Sequence, residues 1–333
     1  MNKFVGKVIL VTGATGLIGS NLVEKLLAEG AKVIALGRNE KKIKKVFHEY
    51  LLETNFSYVA ADITYGVPKE IEYVDYIFHA ASSISGAEIK ARPVDIIQAN
   101  FIGAEKCLDF LKQQKEQRKR SGRLIIFSSA TVYGNIFPYD KSFLEDETYT
   151  ADILSSRSAA YSESKRMVEV LANSYYIQYG IESVIVRIGY VYGYTKCKPD
   201  TAFYEFIDKV LAGEDIVVNS AGMGRRDNIY IEDVVEGLVL AALKGIAGES
   251  YNLSSNGEKD NFKAIDEIAL MIAAATNELT KEKRIRACIK EFAGERNPGV
   301  LLNNKKIKKL GWSVETGIQD GIRKTIARYL EKR

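Results

Sequence analysis

The chain is poor in the residues that build metal sites and covalent frameworks. Its 333 residues include three cysteines, Cys107, Cys197 and Cys288, too few and too scattered for a disulfide framework or a zinc site. Two histidines, His48 and His79, give no ligand cluster, so no metal is expected. Charge of one sign is also scarce. With 47 Lys and Arg against 43 Asp and Glu, the formal net charge is +4, which argues against a nucleic-acid-binding surface. Basic clusters at Lys41, Lys42, Lys44 and Lys45, and from Lys112 through Lys115, Arg118, Lys119 and Arg120 to Arg123, lie just before or between strand-forming segments. The second is interleaved with Gln and Glu, and both read as solvated faces. The apolar run in the opening MNKFVGKVILVTG is too short for a signal-peptide core or a membrane span. No internal repeat or low-complexity segment is visible. The expectation is a soluble protein of a reducing cytoplasm.

What is present is a regular alternation. Continuous apolar runs at Lys7–Thr12, Lys32–Leu36, Phe56–Ala60, Val74–His79, Arg123–Ser128 and Ser183–Ile188 have strand length. Amphipathic stretches near Leu17–Glu29, Asn39–Glu53, Asp95–Gln114 and Ala159–Tyr179 lie between them. Strands that are apolar throughout, each followed by a helix, predict a parallel sheet covered on both faces, hence a Rossmann-type doubly wound α/β domain. Beyond about residue 190 the rhythm loosens, with helices predicted at Ala202–Ala212, Ile231–Leu243, Phe262–Thr276 and Glu315–Tyr329. The division expected is a dinucleotide-binding domain over 1–190, completed by segments near 226–255, and a smaller mixed α/β substrate domain over 191–333.

The segment Val8-Ile-Leu-Val-Thr-Gly13-Ala-Thr-Gly16-Leu-Ile-Gly19 runs from a strand into a helix. Gly13 suits a tight turn, Gly16 lets the backbone approach a pyrophosphate, and Gly19 allows close helix–strand packing. The helix start near Leu17 offers free N–H groups and a partial positive charge to that pyrophosphate. Gly13, Thr15, Gly16, Leu17, Ile18 and Gly19 are therefore expected to line a dinucleotide.

A Tyr-x3-Lys spacing arises three times. Tyr65/Lys69 encloses Gly66 and Pro68, and Tyr194/Lys198 lies between Gly193 and Pro199, so neither is helical. Only Tyr161/Lys165 lies in a long helical pattern, where the spacing puts phenol and ammonium side by side. A free phenol with a pKa of about 10 is a poor base at neutral pH, and a nearby cation typically lowers it. Lys165 together with an oxidised nicotinamide ring would supply that shift. Ser129, at the end of a predicted strand, would hold the substrate oxygen.

With these motifs the chain resembles the extended short-chain dehydrogenase/reductase family, of the NAD-dependent epimerase/dehydratase type, and the resemblance covers nearly its whole length. It implies that Asp62 and Ile63 contact adenine, that Ala80, Ala81 and Ser82 lie beside the cofactor with Ser83 toward the substrate, and that Asn100 is the structural Asn. It further implies that Phe127-Ser-Ser129-Ala-Thr131-Val-Tyr-Gly134 carries the catalytic Ser/Thr and that Tyr161-Ser-Glu-Ser-Lys165 carries the Tyr/Lys pair. Arg226 and Arg296 match arginines that hold a nucleotide diphosphate, as bidentate guanidiniums can. Tyr190 stands where the family usually has a diphosphate-binding Asn.

Two departures bear on function. Members that use NAD commonly end the second strand in a carboxylate for the ribose, whereas this chain reads Gly37-Arg38, which would accommodate the 2′-phosphate of NADP. NAD and NADP both stay open, since Arg38 could instead stack on adenine. Related dehydratases and decarboxylases carry an acid just after the catalytic Ser/Thr, whereas this chain has Ala130 and Thr131. The expectation is a nucleotide-sugar 4-epimerase working through a transient 4-keto sugar. The alternatives are an NADPH-dependent 4-keto-sugar reductase, a dehydratase or decarboxylase relative, and a non-catalytic dinucleotide sensor. Dimerisation through the helix carrying the catalytic Tyr and its neighbour is what the family implies.

Overall fold

A computed structural model describes residues 2–82, 85–134, 142–147, 158–219, 224–280, 284–290 and 299–332. Its first half alternates β1 (Val8–Thr12), α1 (Leu17–Ala28), β2 (Lys32–Gly37), α2 (Glu40–Val46), β3 (Phe56–Ala60) and β4 (Tyr76–His79). Two short helices, α3 (Gly86–Ala91) and α4 (Pro93–Ile97), lead through a π turn into α5 (Gly103–Arg118). There follow β5 (Arg123–Ser129), β6 (Ser142–Phe143), the long α6 (Ala159–Tyr179) and β7 (Ser183–Ile188). The remainder comprises β8 (Tyr190–Tyr192), α7 (Ala202–Leu211), β9 (Ile216–Val218), β10 (Arg225–Tyr230), α8 (Ile231–Lys244) and β11 (Ser250–Leu253). It ends with β12 (Phe262–Ala264), α9 (Ile265–Leu279), β13 (Ala287–Ile289), β14 (Leu301–Leu302), α10 (Lys305–Lys308) and α11 (Ile318–Glu331).

Seven strands form one sheet in the order β11-β7-β5-β4-β1-β2-β3, every neighbouring pair parallel. This is the doubly wound order, and its direction reverses between β1 and β4, where the carboxyl ends of the strands open a crevice. Side chains alternate across a strand, which explains why the strands are apolar throughout. Ile9, Val11, Ile125, Phe127, Val184 and Val186 enter one core, while Leu10, Leu124, Ile126 and Ile185 enter the other. The first core continues through Tyr192, Phe203, Ile229, Ile265, Trp312 and Ile322 into the later segments. Among the described residues, no helix is long and apolar enough to cross a membrane.

Three predicted helices differ in detail. The stretch Asn39–Glu53 leaves α-geometry at Phe47 (φ −110°, ψ 25°) and ends in a separate 3-10 turn, His48–Tyr50. The fully buried Phe47 ring turns in against Phe56, 5.2 Å between centroids. The stretch Asp95–Gln114 is interrupted by the π turn Gln98–Ile102. In Phe262–Thr276 the first three residues are β12, paired antiparallel with Arg225–Asp227. The helix begins only at Ile265, where the Glu267 carboxylate accepts from the Ala264 N–H at 2.8 Å. Apolar periodicity does not separate a short strand from the helix it feeds. A second, three-stranded sheet, β12-β10-β8, carries Tyr190 and Arg226.

Candidate active site

The glycine loop is closed so tightly that side chains are excluded. Gly13 has φ +63°, and a Cβ there would lie 2.6 Å from the Ala80 carbonyl oxygen. A Cβ on Gly19 would overlap the Gly13 carbonyl. Gly16 caps α1 without any side-chain acceptor, so the first N–H groups of the helix, at Leu17, Ile18 and Gly19, stay available to an anion. Ala80 and Ala81 close over the loop from the end of β4. Ile63 is buried, and the Asp62 carboxylate accepts from the Thr64 N–H and hydroxyl through Oδ1 only. Among the described residues its second oxygen has no partner, leaving it for an exocyclic amine. The orphaned donors, the glycine cradle and this oxygen fit the pyrophosphate and adenine of a dinucleotide. Gly19→Ala is expected to weaken dinucleotide binding at least about tenfold while the protein still folds, as read by titration and a thermal melt.

At the end of β2, Arg38 is exposed and has no ion pair among the described residues. A Cβ at Gly37 would make only ordinary contacts, 3.5 Å to Ile43. The missing carboxylate therefore reflects the residue chosen, not a lack of room.

Ser129 ends β5, and Tyr161 stands in the first turn of α6 with Lys165 one turn later. Thr131 donates to Ser129 Oγ twice, from its N–H at 3.2 Å and its hydroxyl at 3.1 Å. With its lone pairs so engaged, Ser129 keeps its own proton for a partner other than Thr131, and its hydroxyl lies close enough to the Tyr161 phenol to favour the charged form. Thr131, expected at the substrate, thus acts on Ser129. The Lys165 ammonium is buried, 5.8 Å from the Tyr161 ring centre, and donates to the Phe127 carbonyl at 2.7 Å.

These contacts reverse one electrostatic expectation. Burial raises the Tyr161 pKa above its ordinary value, the Ser129 hydroxyl opposes this, and the Tyr190 phenol adds to it. Burial also lowers Lys165 to about 7. The chain alone therefore penalises both charged forms through burial. His79 is buried as well, bonded at Nδ1 to the Thr12 hydroxyl at 2.9 Å, and its pKa falls to about 3, so it stays neutral. Asn100 lies in the π turn and donates to Ser164 Oγ at 2.9 Å, tying that turn to α6 beside the Tyr/Lys pair.

The residues that hold this geometry were not evident from motifs. Glu169 follows Lys165 by one helical turn and accepts from Ser128 Oγ at 2.5 Å, next to Ser129. It also forms a two-point pair with Arg187 of β7, at 3.0 and 2.7 Å. Arg187 donates in turn to the Tyr133 hydroxyl at 2.9 Å, and Tyr133 donates to Asn252 of β11 at 2.8 Å. The only sequence signal was a carboxylate four residues beyond Lys165, on the same helix face.

On the substrate side, the Arg226 guanidinium carbon lies 4.7 Å from the Tyr190 ring centre. Ser82 lies beside the end of β4, while Ser83 and Arg296 fall outside the described residues. The other two Tyr/Lys spacings are dispersed. Tyr65 is exposed, Tyr194 packs on Tyr329 at 4.7 Å, and Lys198 pairs with Asp208.

The description "NAD dependent epimerase/dehydratase family" matches residues 9–254. UDP-glucuronic acid decarboxylase 6 of Arabidopsis thaliana is 29% identical over 321 residues, covering 94% of this chain and 86% of that protein. The fold is similar to that of UDP-glucose 4-epimerase from Thermotoga maritima solved with UDP-glucose, with TM-score 0.78, 21% identity and coverage of 98% and 99% of the two chains. It is also similar to dTDP-glucose 4,6-dehydratase from Bacillus anthracis in complex with NAD, with TM-score 0.77, 23% identity and coverage of 98% of each chain. With the glycine cradle and the Ser/Tyr/Lys cluster, these matches place the chain in the NAD dependent epimerase/dehydratase family, with NAD or NADP as its cofactor.

Proposed function

We propose that the protein is a nucleotide-sugar 4-epimerase acting through a transient 4-keto sugar. The observation that carries this reading is Thr131. At the position where the dehydratases and decarboxylases of the family carry an acid, this chain has a hydroxyl, and that hydroxyl is engaged with Ser129. Dehydration must remove a proton next to the keto group, which needs a base there, and a threonine does not supply one. The decarboxylase names of the relatives thus meet a site without that acid.

A bound nicotinamide would accept the C4 hydride and return it to the opposite face of the sugar. The protein's own part is proton handling and orientation. Tyr161 takes the proton of the C4 hydroxyl and later returns it to the keto oxygen. Ser129, polarised by both Thr131 donors, hydrogen-bonds the same sugar oxygen and stabilises the charge that develops on it. Lys165 lies beneath the phenol, fixed by the Phe127 carbonyl. Arg226 holds the diphosphate, with Arg296 as the second guanidinium. Residues 1–190, with 226–255, serve the dinucleotide, and 191–333 serve the substrate. The reaction is tested by acid release of small molecules from protein purified without added cofactor. Near-stoichiometric bound NAD supports the epimerase. An empty site stabilised by NADPH over NADH favours the 4-keto-sugar reductase, the second reading, which the exposed Arg38, without an ion pair among the described residues, supports.

The protein is further proposed to be a homodimer. Met167, Val170 and Ile177 are exposed by 53%, 57% and 76% and follow one another along one side of α6, with Val94 and Ile97 exposed on the adjoining α4. A second copy would cover this apolar stripe. Ile177→Asp together with Val170→Asp is expected to yield a monomer in sedimentation experiments, whereas an unchanged dimer would mean a different interface.

A further inference from the structure

Arg226 is prepared for an anion in a way that its neighbours are not. Beside it on β10, Arg225 faces Glu267 at 3.9 Å. Across the antiparallel pair, Lys263 is neutralised by Asp260 at 2.7 Å. No carboxylate among the described residues pairs with Arg226. Its backbone is fixed on several sides: by the β12 register, by a bridge to Val300, and by the Asn228 amide, which donates to the Arg226 carbonyl at 2.8 Å. Among the described residues the side chain has one partner, the face of Tyr190. That ring is 46% exposed, stands on β8 in register with Asn228, and lies within electrostatic reach of Tyr161.

We propose that Tyr190 is a positioning residue for the substrate, whose ring holds the Arg226 guanidinium in place for a nucleoside diphosphate. This rests on the reading that Arg226 meets a diphosphate. An aromatic face attracts a guanidinium and restricts its rotamers while leaving its N–H edges free for bidentate contact with phosphate oxygens. The role belongs to the ring, so the phenol oxygen is dispensable for it. An Asn at this position could hydrogen-bond a phosphate directly but could not stack under the arginine.

The test is calorimetric binding of UDP, CDP, GDP and dTDP to protein saturated with its dinucleotide. The variants are Tyr190→Phe, Tyr190→Ala, Arg226→Ala and the double variant, with dinucleotide affinity as the check on folding. Tyr190→Phe should bind the preferred diphosphate within about twofold of wild type, and Tyr190→Ala roughly three- to tenfold more weakly. In the Arg226→Ala background, Tyr190→Ala should cost nothing more, because its effect passes through the guanidinium. Equal binding by Tyr190→Ala and wild type, or additive losses in the double variant, would overturn the proposal. Loss in Tyr190→Phe equal to that in Tyr190→Ala would do so too, by assigning the effect to the hydroxyl. If wild type binds none of the four diphosphates, the diphosphate reading of Arg226 fails, and this role of Tyr190 fails with it.

Discussion

Tyr161→Phe is expected to lower kcat on the order of a thousandfold while leaving dinucleotide and nucleoside diphosphate affinities within about threefold of wild type. The size follows from the range, about 10²–10⁴, that a positioned acid–base group contributes. The selectivity follows from the site, where the ring packs as before and only the phenol oxygen, influenced by the Ser129 hydroxyl, is removed. Because burial raises the Tyr161 pKa, its basic form grows with pH, so wild-type kcat/KM should rise with pH through the neutral range. The residual rate of Tyr161→Phe should lack that rise. A variant retaining a tenth or more of wild-type kcat would remove Tyr161 from the proton path.

Lys165→Met is expected to abolish turnover, by at least about a hundredfold, and yet to raise thermal stability. In the fold Lys165 is buried and its pKa falls from 10.5 to about 7. Between those values the unfolded chain binds the extra proton, so stability rises with pH across that window. The cost of burying Lys165 is therefore full below pH 7 and fades as pH approaches 10.5. At neutral pH it amounts to about 4 kcal/mol, offset by about 1–2 kcal/mol because the Phe127 carbonyl loses a donor. A net gain of about 2–3 kcal/mol corresponds to a Tm increase of roughly 3–4 °C for a chain of this length. Scanning calorimetry of cofactor-free protein at pH 6.5 and pH 10 should show this gain shrinking at the higher pH. A destabilised variant at both values would mean that the ammonium has better compensation than the Phe127 carbonyl.

How much of this was legible in the sequence depended on whether a single residue type was forced. Gly13 and Gly19 were readable because their sites admit no Cβ, so the backbone geometry is written in composition. Tyr161 and Lys165 were readable because helical spacing is local, and the same reasoning set aside Tyr65/Lys69 and Tyr194/Lys198. Six parallel strands were readable from their continuous apolar runs, whereas β11, which completes the seven-stranded sheet, lies far along the chain from its neighbour β7 and was not. The pair Glu169–Arg187 is different. Its partners are 18 residues apart, on a helix and a strand, and only the fold brings Ser128 between them. The π turn at Asn100 and the break at Phe47 were hidden because apolar periodicity runs unbroken through both. The rise in the Tyr161 pKa was also hidden, because the spacing shows a neighbouring cation but not its burial.

The most direct test of the epimerase assignment uses a panel of nucleotide sugars carrying deuterium at C4, followed by NMR with catalytic amounts of enzyme. The expected result is a C4 epimer that keeps its deuterium at C4, with no net consumption of dinucleotide and no loss of carbon dioxide or water. Deuterium transferred to C6 with loss of water, or a pentose product formed with release of carbon dioxide, would contradict it and show that the site catalyses the chemistry of its dehydratase or decarboxylase relatives without the acid missing at Thr131.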